Sequence, residues 1–453
     1  MLLISHEMHF VSACTCVAIA WAIVVYHAST SDHSSDLAHL GSVSASHATV
    51  WLFSLTATEA RVSYTSEHNV WGVVTADFSD NDPTLTIALR DLVADTRYTV
   101  AIAFVNKSTN VTLRSTTLSL KTLATYMSTV RFAFGSCTMA VPLLHTITGF
   151  SGNLDYIATR LKPDFMLLLG DQIYADVDLA HNTELLYRTT VHDHQYATVG
   201  MSTPIFSIYD DHEIRNDWNE GPLDPLYLDR IQYYTRYFGN RNPESLENGE
   251  HYYTWSTGVA AFFMLDVRKY ASPKAAPDGP TKTKLGVTQK QHLLRWLQAS
   301  TEPFKVVISS MVVSDMGIQA TGEGWARYGA EYHEIFDYVQ AHNVSGVVLL
   351  SGDLHFAGVW QHSPYSFLYE VGASPISAFP VIPIHSVKST HKTLFQSWTG
   401  LHFGHITIVD KSRSDGSPAM EIVMYQSRLG QPRPAFSMRL NWTNTIPKPW
   451  AMN

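Results

Sequence analysis

The chain is short of cysteine, of positive charge and of any apolar run long enough to be an unambiguous membrane span, and each shortage removes a class of protein. Of its three cysteines, Cys14 and Cys16 lie inside the N-terminal run "FVSACTCVAIAWAIVVY", which leaves Cys137 alone in the body of the 453-residue chain. No intramolecular disulfide framework can be built there. Cys137 is therefore a small buried hydrophobe, a ligand or a nucleophile. Charged residues make up 16% and the formal net charge is −9, so no stable nucleic-acid complex is expected, although a local basic pocket is compatible with this balance. The run Phe10 to Tyr26 is shorter than a span of about 20 residues and longer than most signal-peptide cores. Residues 1–30 read as a signal peptide or a signal anchor, and either sends the chain into the secretory pathway. Sequons at Asn106, Asn110, Asn343 and Asn441 agree with a secreted, extracellular or lumenal location.

What is present is apolar content at 45% and 22 histidines, enough for a compact protein too long for one core. After a Ser/His-rich linker at 31–42, residues 43–124 alternate with period two. The stretches "ATVWLFSL", "EARVSYTS", "LTIALRDL", "RYTVAIAFV" and "TLRSTTLSLKT" predict the short strands of an antiparallel sandwich. "LRDLVADTRYTVAIAF" resembles the tyrosine-corner segment of a fibronectin type III domain, with Tyr98 in the corner.

From residue 128 the texture changes. "VRFAF", "FMLLL", "PIFSIY", "VAAFFML", "FKVVIS" and "GVVLL" are continuous apolar runs, interleaved with helical patterns such as "VTQKQHLLRWLQAS" and "EYHEIFDYVQAHN". Runs without alternation are strands covered on both faces, so 128–430 predicts a layered α/β domain. Thr288 with Gln291 predicts a capping box at the start of one helix. "HFGHITIVD" and "AMEIVMYQS" predict a closing hairpin, and 431–453 a C-terminal tail.

The buried strands share a habit: their C-terminal ends deliver polar residues. "FAFGSC" delivers Cys137, and "LLLGDQIY" delivers Asp171 and Tyr174. "FSIYDDHEIRND" delivers Asp210, Asp211, His212 and Asn216, and "VVLLSGDLH" delivers Asp353 and His355. Ligands of open α/β sheets bind beyond the strand carboxyl ends, so these clusters should converge. Several acids, a thiolate and a phenolate cannot be buried together unpaired, because like charges resist ionisation in a dry site. Cations resolve the conflict. Phenolate and thiolate suit a strongly acidic ion such as ferric iron, and carboxylates with an amide oxygen suit Ca²⁺, Mg²⁺ or Mn²⁺. A two-metal site of that kind serves displacement at phosphorus, with Asp171 as the bridge and a metal-held hydroxide attacking in line.

At these motifs, from "FGSC" through "GDQIYAD", "YDDHE" and "SGDLH" to "YEVGASPIS", the chain resembles the PhoD-type alkaline phosphatases, a branch of the calcineurin-like metallophosphoesterases. "GDQIY" is also similar to a block of the purple acid phosphatases. The resemblance implies a four-layer αββα catalytic sandwich behind the small all-β fibronectin type III-like domain. It also implies Fe³⁺ with one or two Ca²⁺, or Mg²⁺ or Mn²⁺ in place of calcium, and hydrolysis of small phosphate monoesters or diesters. It assigns Cys137, Asp171, Tyr174 and Asp353 to iron, and Asp211, Asn216, His355 and Glu370, with Asp171 shared, to calcium. His212 matches the histidine that protonates the leaving oxygen, and Arg268 in "LDVRKY" a bidentate phosphate clamp.

Departures from the wider superfamily, with Ser136-Cys137 for Asp-x-His and "GDLH" for "GHxH", exclude the common di-zinc or di-manganese site. A catalytically silent surface-binding protein on the same scaffold is the alternative. It leaves the buried acids without a reason. His181, His192 and His194 read as helix-face residues, and Trp325 and Tyr328 as stacking, lid or core residues. The loop "RKYASPKAAPDGPTKTKLG" reads as a solvated excursion, or as a source of lysines that draw anionic substrates.

Overall fold

The computed structural model describes residues 35–67, 70–139, 152–177, 182–316, 323–378, 380, 389–411, 416–428 and 431–447. The apolar run Phe10 to Tyr26 and His181 lie outside the described residues. Among the described residues, no helix is long and apolar enough to cross a membrane.

Seven strands open the chain: β1 (Leu37–Val43), β2 (Ala48–Phe53), β3 (Glu59–Ser66), β4 (Trp71–Asp77), β5 (Thr84–Leu89), β6 (Arg97–Asn106) and β7 (Val111–Lys121). They form two antiparallel sheets, ordered β1-β2-β5 and β4-β3-β6-β7, closed over Leu52, Val62, Ile102 and Leu118. The corner is as read: Tyr98 is fully buried and its hydroxyl accepts the Val93 N–H at 2.8 Å. Two strands of this sandwich escaped the sequence. β1 lies inside the expected linker, and its Ser/His-rich neighbourhood hid that Ala38, Leu40 and Val43 are buried. Within it His39 is packed between the rings of Trp51 and Tyr196. β4 is an edge strand whose Trp71 and Val73 stay exposed, so no apolar face announces it.

The rest is two sheets face to face. One runs β10 (Ile205–Ile208), β9 (Phe165–Leu169), β8 (Thr129–Gly135), β18 (Leu401–Val409), β19 (Ala419–Ser427), β20 (Arg433–Asn441). The other runs β11 (Tyr253–Ser256), β12 (Ala260–Met264), β13 (Phe304–Ile308), β14 (Val347–Ser351), β16 (Tyr369–Gly372), β15 (Ala357–Gln361), β17 (Lys392–Ser397). The closing hairpin is β18 and β19, antiparallel from Leu401↔Ser427 to Val409↔Ala419. The tail begins as β20, paired to β19 across its length, and so belongs to the sheet rather than lying free.

Alternation inside the apolar runs sorts the layers. Phe262, Met264, Val306, Ile308, Val348 and Leu350 join the same core as Phe132 and Leu167 of the facing sheet. Their neighbours Phe263, Val307 and Leu349 pack instead against Leu293 and Leu297 of helix α4 (Gly286–Ala299) and Ile335 and Phe336 of α5 (Gly329–Ala341). Helices α1 (Thr183–His192), α2 (His194–Ser202) and α3 (Pro225–Tyr237) cover the six-stranded sheet through Tyr187, Tyr196, Val199 and Tyr234. The result is the expected αββα sandwich. The capping box at Thr288 is not formed, because α4 starts at Gly286. Its first N–H groups are met from elsewhere, Gly286 N–H by the Thr283 hydroxyl at 2.8 Å and Leu285 N–H by the Glu331 carboxylate at 3.3 Å.

The sandwich is seated on the layered α/β unit. The Arg241 guanidinium lies 3.9 Å over the Trp51 ring, Trp51 Nε1 donates to the Arg236 carbonyl at 2.9 Å, and Thr49 Oγ1 donates to the Arg241 carbonyl at 2.8 Å.

Several core histidines couple stability to acid. Burial, with Lys269 repelling the same charge, pulls His251 down to about 4, and burial alone leads the same shift to about 4 in His402 and His405. Between the unfolded value of 6.5 and that value the unfolded chain takes up protons the folded chain refuses. Stability contributed by each ring is therefore present above pH 6.5 and lost as pH falls toward 4. Some buried acids act in the opposite sense, so the test is a difference. His251→Phe is expected to have a flatter fall in Tm from pH 7 to pH 4 than the wild type, measured by calorimetry; parallel curves would refute it.

Candidate metal centre

Four loops meet at the C-terminal edges of parallel strands. Cys137 follows β8, Asp171 and Tyr174 follow β9, Asp210 and Asp211 follow β10, and Asp353 and His355 follow β14 of the other sheet. Gly170 makes the approach feasible: at φ +91°, a Cβ there would sit 2.5 Å from Asp210 Cβ. Ser136 ties the sheets, its hydroxyl accepting the Asp353 N–H at 2.9 Å and its N–H donating to the Ala373 carbonyl. Cys137, Asp171, Asp353 and His355 all have left-handed backbones, φ 59°, 55°, 71° and 54°. That conformation costs non-glycine residues of order 1–3 kcal/mol each and collects at functional sites.

The side chains form three groups, each with its ligand atoms within 4.8 Å of one another: Cys137, Asp171 and His355; Asp171, Asp210, Asp211 and Asp353; and Asp211, Asp217 and Glu323. Asp171 is common to the first two. Tyr174 joins the first, its hydroxyl 2.9 Å from His355 Nε2. Cys137 Sγ lies 3.2 Å from Asp171 Oδ2 and receives the Ser374 hydroxyl at 3.0 Å. The division into ligand sets thus differs from the expected one, with His355 beside Cys137 and Asp353 among the aspartates.

The electrostatics ask for a cation. Burial, then Asp211 and Asp210, push Asp171 well above the carboxylate range despite His212, and burial with the same two aspartates does so to Asp353. Burial, then Asp171, raises the Cys137 thiol; burial, then Cys137 and Asp171, raises the Tyr174 phenol. Asp171 Oδ1, Asp210 Oδ2 and Asp353 Oδ2 are buried with no hydrogen-bond partner. Buried carboxylate oxygens are ordinarily paired, so three orphans in one place fit metal ligation. The third group is different, because the Lys274 ammonium already binds Asp217 and Glu323.

Three residues expected at the centre are placed otherwise than expected. Arg268 does not reach outward as a clamp. It is 1% exposed, with its guanidinium on Asp210, Asp211 and Glu323. The carboxylate of Glu370 is filled by Val313 N–H, Ser314 N–H, the Ser351 hydroxyl and His362. The side chain of Asn216 is exposed. Trp325 and Tyr328 are buried, with the Tyr328 hydroxyl on the Ser272 carbonyl.

Two acids carry roles the sequence reading left unassigned. Glu213, the last letter of "DDHE", accepts N–H groups of Asp171, Gln172 and Asp210, pinning two ligand loops together. Burial raises its pKa to about 7 against those bonds. Asp176, the last letter of "GDQIYAD", accepts from His212 Nδ1 at 2.7 Å. Burial alone would lower His212, but Asp211, Asp171 and this bond hold its pKa well above the usual value. Both acids end motifs quoted for their ligands, and only the fold reveals what they hold.

An αββα sandwich with shared, cation-seeking aspartates at its strand ends defines a metallophosphoesterase. Residues 132–403 match the family model described as PhoD-like phosphatase, and the chain belongs to that family. The solved structure of PhoD superposes with a TM-score of 0.70 at 18% identity, covering 90% of each chain. A purple acid phosphatase, PPD1 from yellow lupin (Lupinus luteus) seeds, superposes with a TM-score of 0.65 at 13% identity, covering 91% of this chain and 76% of the lupin one. Alkaline phosphatase D of Bacillus subtilis (strain 168) is 27% identical over 176 residues, which span 32% of this chain and 30% of that enzyme.

Proposed function

We propose that the protein is a metal-dependent phosphoric ester hydrolase acting outside the cytosol, with Fe³⁺ held by Cys137, Asp171, Tyr174 and His355. Ca²⁺, or Mg²⁺ or Mn²⁺ in its place, is held by Asp171, Asp210, Asp211 and Asp353. The observation that carries this is the trio of orphaned oxygens on Asp171, Asp210 and Asp353, brought together from the strand ends of both sheets. Cations bound there would offset the developing negative charge at phosphorus and acidify an attacking water. Surface sequons at Asn110 and Asn343 support the location.

The protein's own residues do the rest. His212, about 17% exposed at its side chain and with its ring centroid 4.3 Å from that of Tyr174, is the group placed to protonate the leaving oxygen. Asp176 keeps the Nδ1 proton in place, so Nε2 carries the proton to be given away. With the ligand aspartates neutralised by cations, Asp176 is the acid that maintains the imidazolium. Asp176→Asn is therefore expected to lower kcat roughly 10–100-fold, below the ~10²–10⁴-fold worth of the proton transfer itself. KM and metal content should hold, while the alkaline limb of the pH–rate profile moves to lower pH; an unmoved limb would count against this role.

The direct test is release of p-nitrophenol from its phosphate esters by full-length protein, with and without chelator, alongside elemental analysis. Chelator-sensitive release with iron and a divalent ion is expected. Metal-loaded protein inert on monoester and diester alike would favour the silent binding protein instead.

A further inference from the structure

The loop between Arg268 and α4 is a solvated excursion only in its middle; its C-terminal end turns inward. Two of its four lysines fold back on Tyr328: Lys282 Nζ lies 4.7 Å from the ring centroid and Lys284 Nζ 4.9 Å, and both residues are buried, at 5% and 3% exposed. The cations around them have partners. Arg268 is spent on Asp210, Asp211 and Glu323, Lys274 on Asp217 and Glu323, and Lys282 donates to the Lys274 carbonyl at 3.1 Å. Among the described residues, no carboxylate stands within ion-pair distance of Lys284, and its ammonium rests on a tyrosine face alone. Through the Tyr328 ring it shares with Lys282, and Lys282's bond to the Lys274 carbonyl, it adjoins the cluster in which Lys274 binds Glu323 and Arg268 joins Glu323 to Asp210 and Asp211. Burial pulls its pKa down to about 8, Arg268 pushes the same way, and Glu323, Asp210 and Asp353 pull against them.

A largely buried ammonium without a counter-anion is costly, and natural cores usually pair it or discard it. Next to a centre that receives phosphate esters, the missing anion has an obvious chemistry. We propose that Lys284 receives a non-bridging oxygen of the substrate's phosphoryl group and so biases the enzyme toward monoesters over diesters. The inference rests on the phosphatase reading above. A monoester approaches two negative charges near neutral pH, its second pKa being about 6. A diester carries one, so a fixed cation outside the metal pair favours the dianion. Tyr328 holds the ammonium by its ring face, which leaves the N–H donors free to point at oxygen.

The test uses metal-loaded full-length protein with Lys284→Met, which keeps the length and loses the charge. Expected is a roughly 10–100-fold drop in the ratio of kcat/KM for p-nitrophenyl phosphate to that for bis(p-nitrophenyl) phosphate, carried mainly by KM. Inorganic phosphate should bind roughly 10-fold more weakly by calorimetric titration, with metal content unchanged. Tm without phosphate should stay level or rise, since an unpaired ammonium has left the interior. Lys284→Arg should recover part of the phosphate affinity, and Lys284→Gln repeats the test if the methionine variant does not fold. An unchanged ester ratio together with unchanged phosphate affinity in a folded, metal-loaded variant overturns the proposal. Phosphate binding needs no turnover, so it still reads Lys284 if the wild type is inert on both esters, an outcome that would refute the phosphatase reading instead.

Discussion

Asp171→Asn is expected to abolish hydrolysis and metal retention while making the metal-free protein more stable than the metal-free wild type. The two halves have one cause. Asp171 is shared by the cysteine–histidine group and the aspartate group, so its loss disables both at once. The effect should exceed the 10–100-fold that loss of an outer partner of a metal ligand typically costs. Without cations the same carboxylate is a burden, 1% exposed, one oxygen unpartnered, pressed by Asp210 and Asp211. Asparagine keeps the shape and tolerates the left-handed backbone at φ 55°. Elemental analysis and calorimetry with and without added metal check it. A wild-type-like rise in Tm on metal addition to the variant would remove Asp171 from the centre.

Arg268→Met is expected to cost about 3–5 kcal/mol, the range for removing one partner of a buried ion cluster. A total stability of roughly 5–15 kcal/mol makes that a threat to folding. Asp210, Asp211 and Glu323 would be left facing one another with only Lys274 and any bound cation between them. Although burial works against it, Arg268 together with Lys274 holds Glu323 down at about 2, which measures how much these acids lean on that guanidinium and ammonium. Soluble yield and thermal unfolding should both fall. A residue that only clamped substrate would instead raise KM and leave the unfolding temperature alone.

The sequence was informative where chemistry and periodicity coincide. Acids at the ends of uninterrupted apolar runs marked Cys137, Asp171, Asp211 and Asp353 as neighbours before any coordinates, because an open sheet places its strand ends together. The same logic could not separate ligands from their supports. Glu370 and Asp211 both sit by strands and both are buried, yet Glu370 spends its oxygens on two backbone N–H groups, a hydroxyl and His362. Nor could it orient Arg268, since a motif gives a residue type and not the direction of a side chain. Strand β1 was hidden for another reason: His39 and the serines around it look like linker until Trp51 and Tyr196 supply a place for the imidazole. The lysine loop deceived similarly, its composition suggesting solvent and its packing placing two ammonium groups on one buried ring.

The seam at Trp51 sets a limit on how this enzyme can be trimmed. A chain beginning at Ser128 would lose the Trp51 indole that lies beneath Arg241 and against Tyr237. It would set aromatic surface and an unsheltered guanidinium in water where the parent has a dry joint. Whatever else the β1–β7 sandwich does for the organism, it acts as a plug for the shorter fragment's exposed flank, and a minimal version would need new polar residues at that face before it stayed in solution.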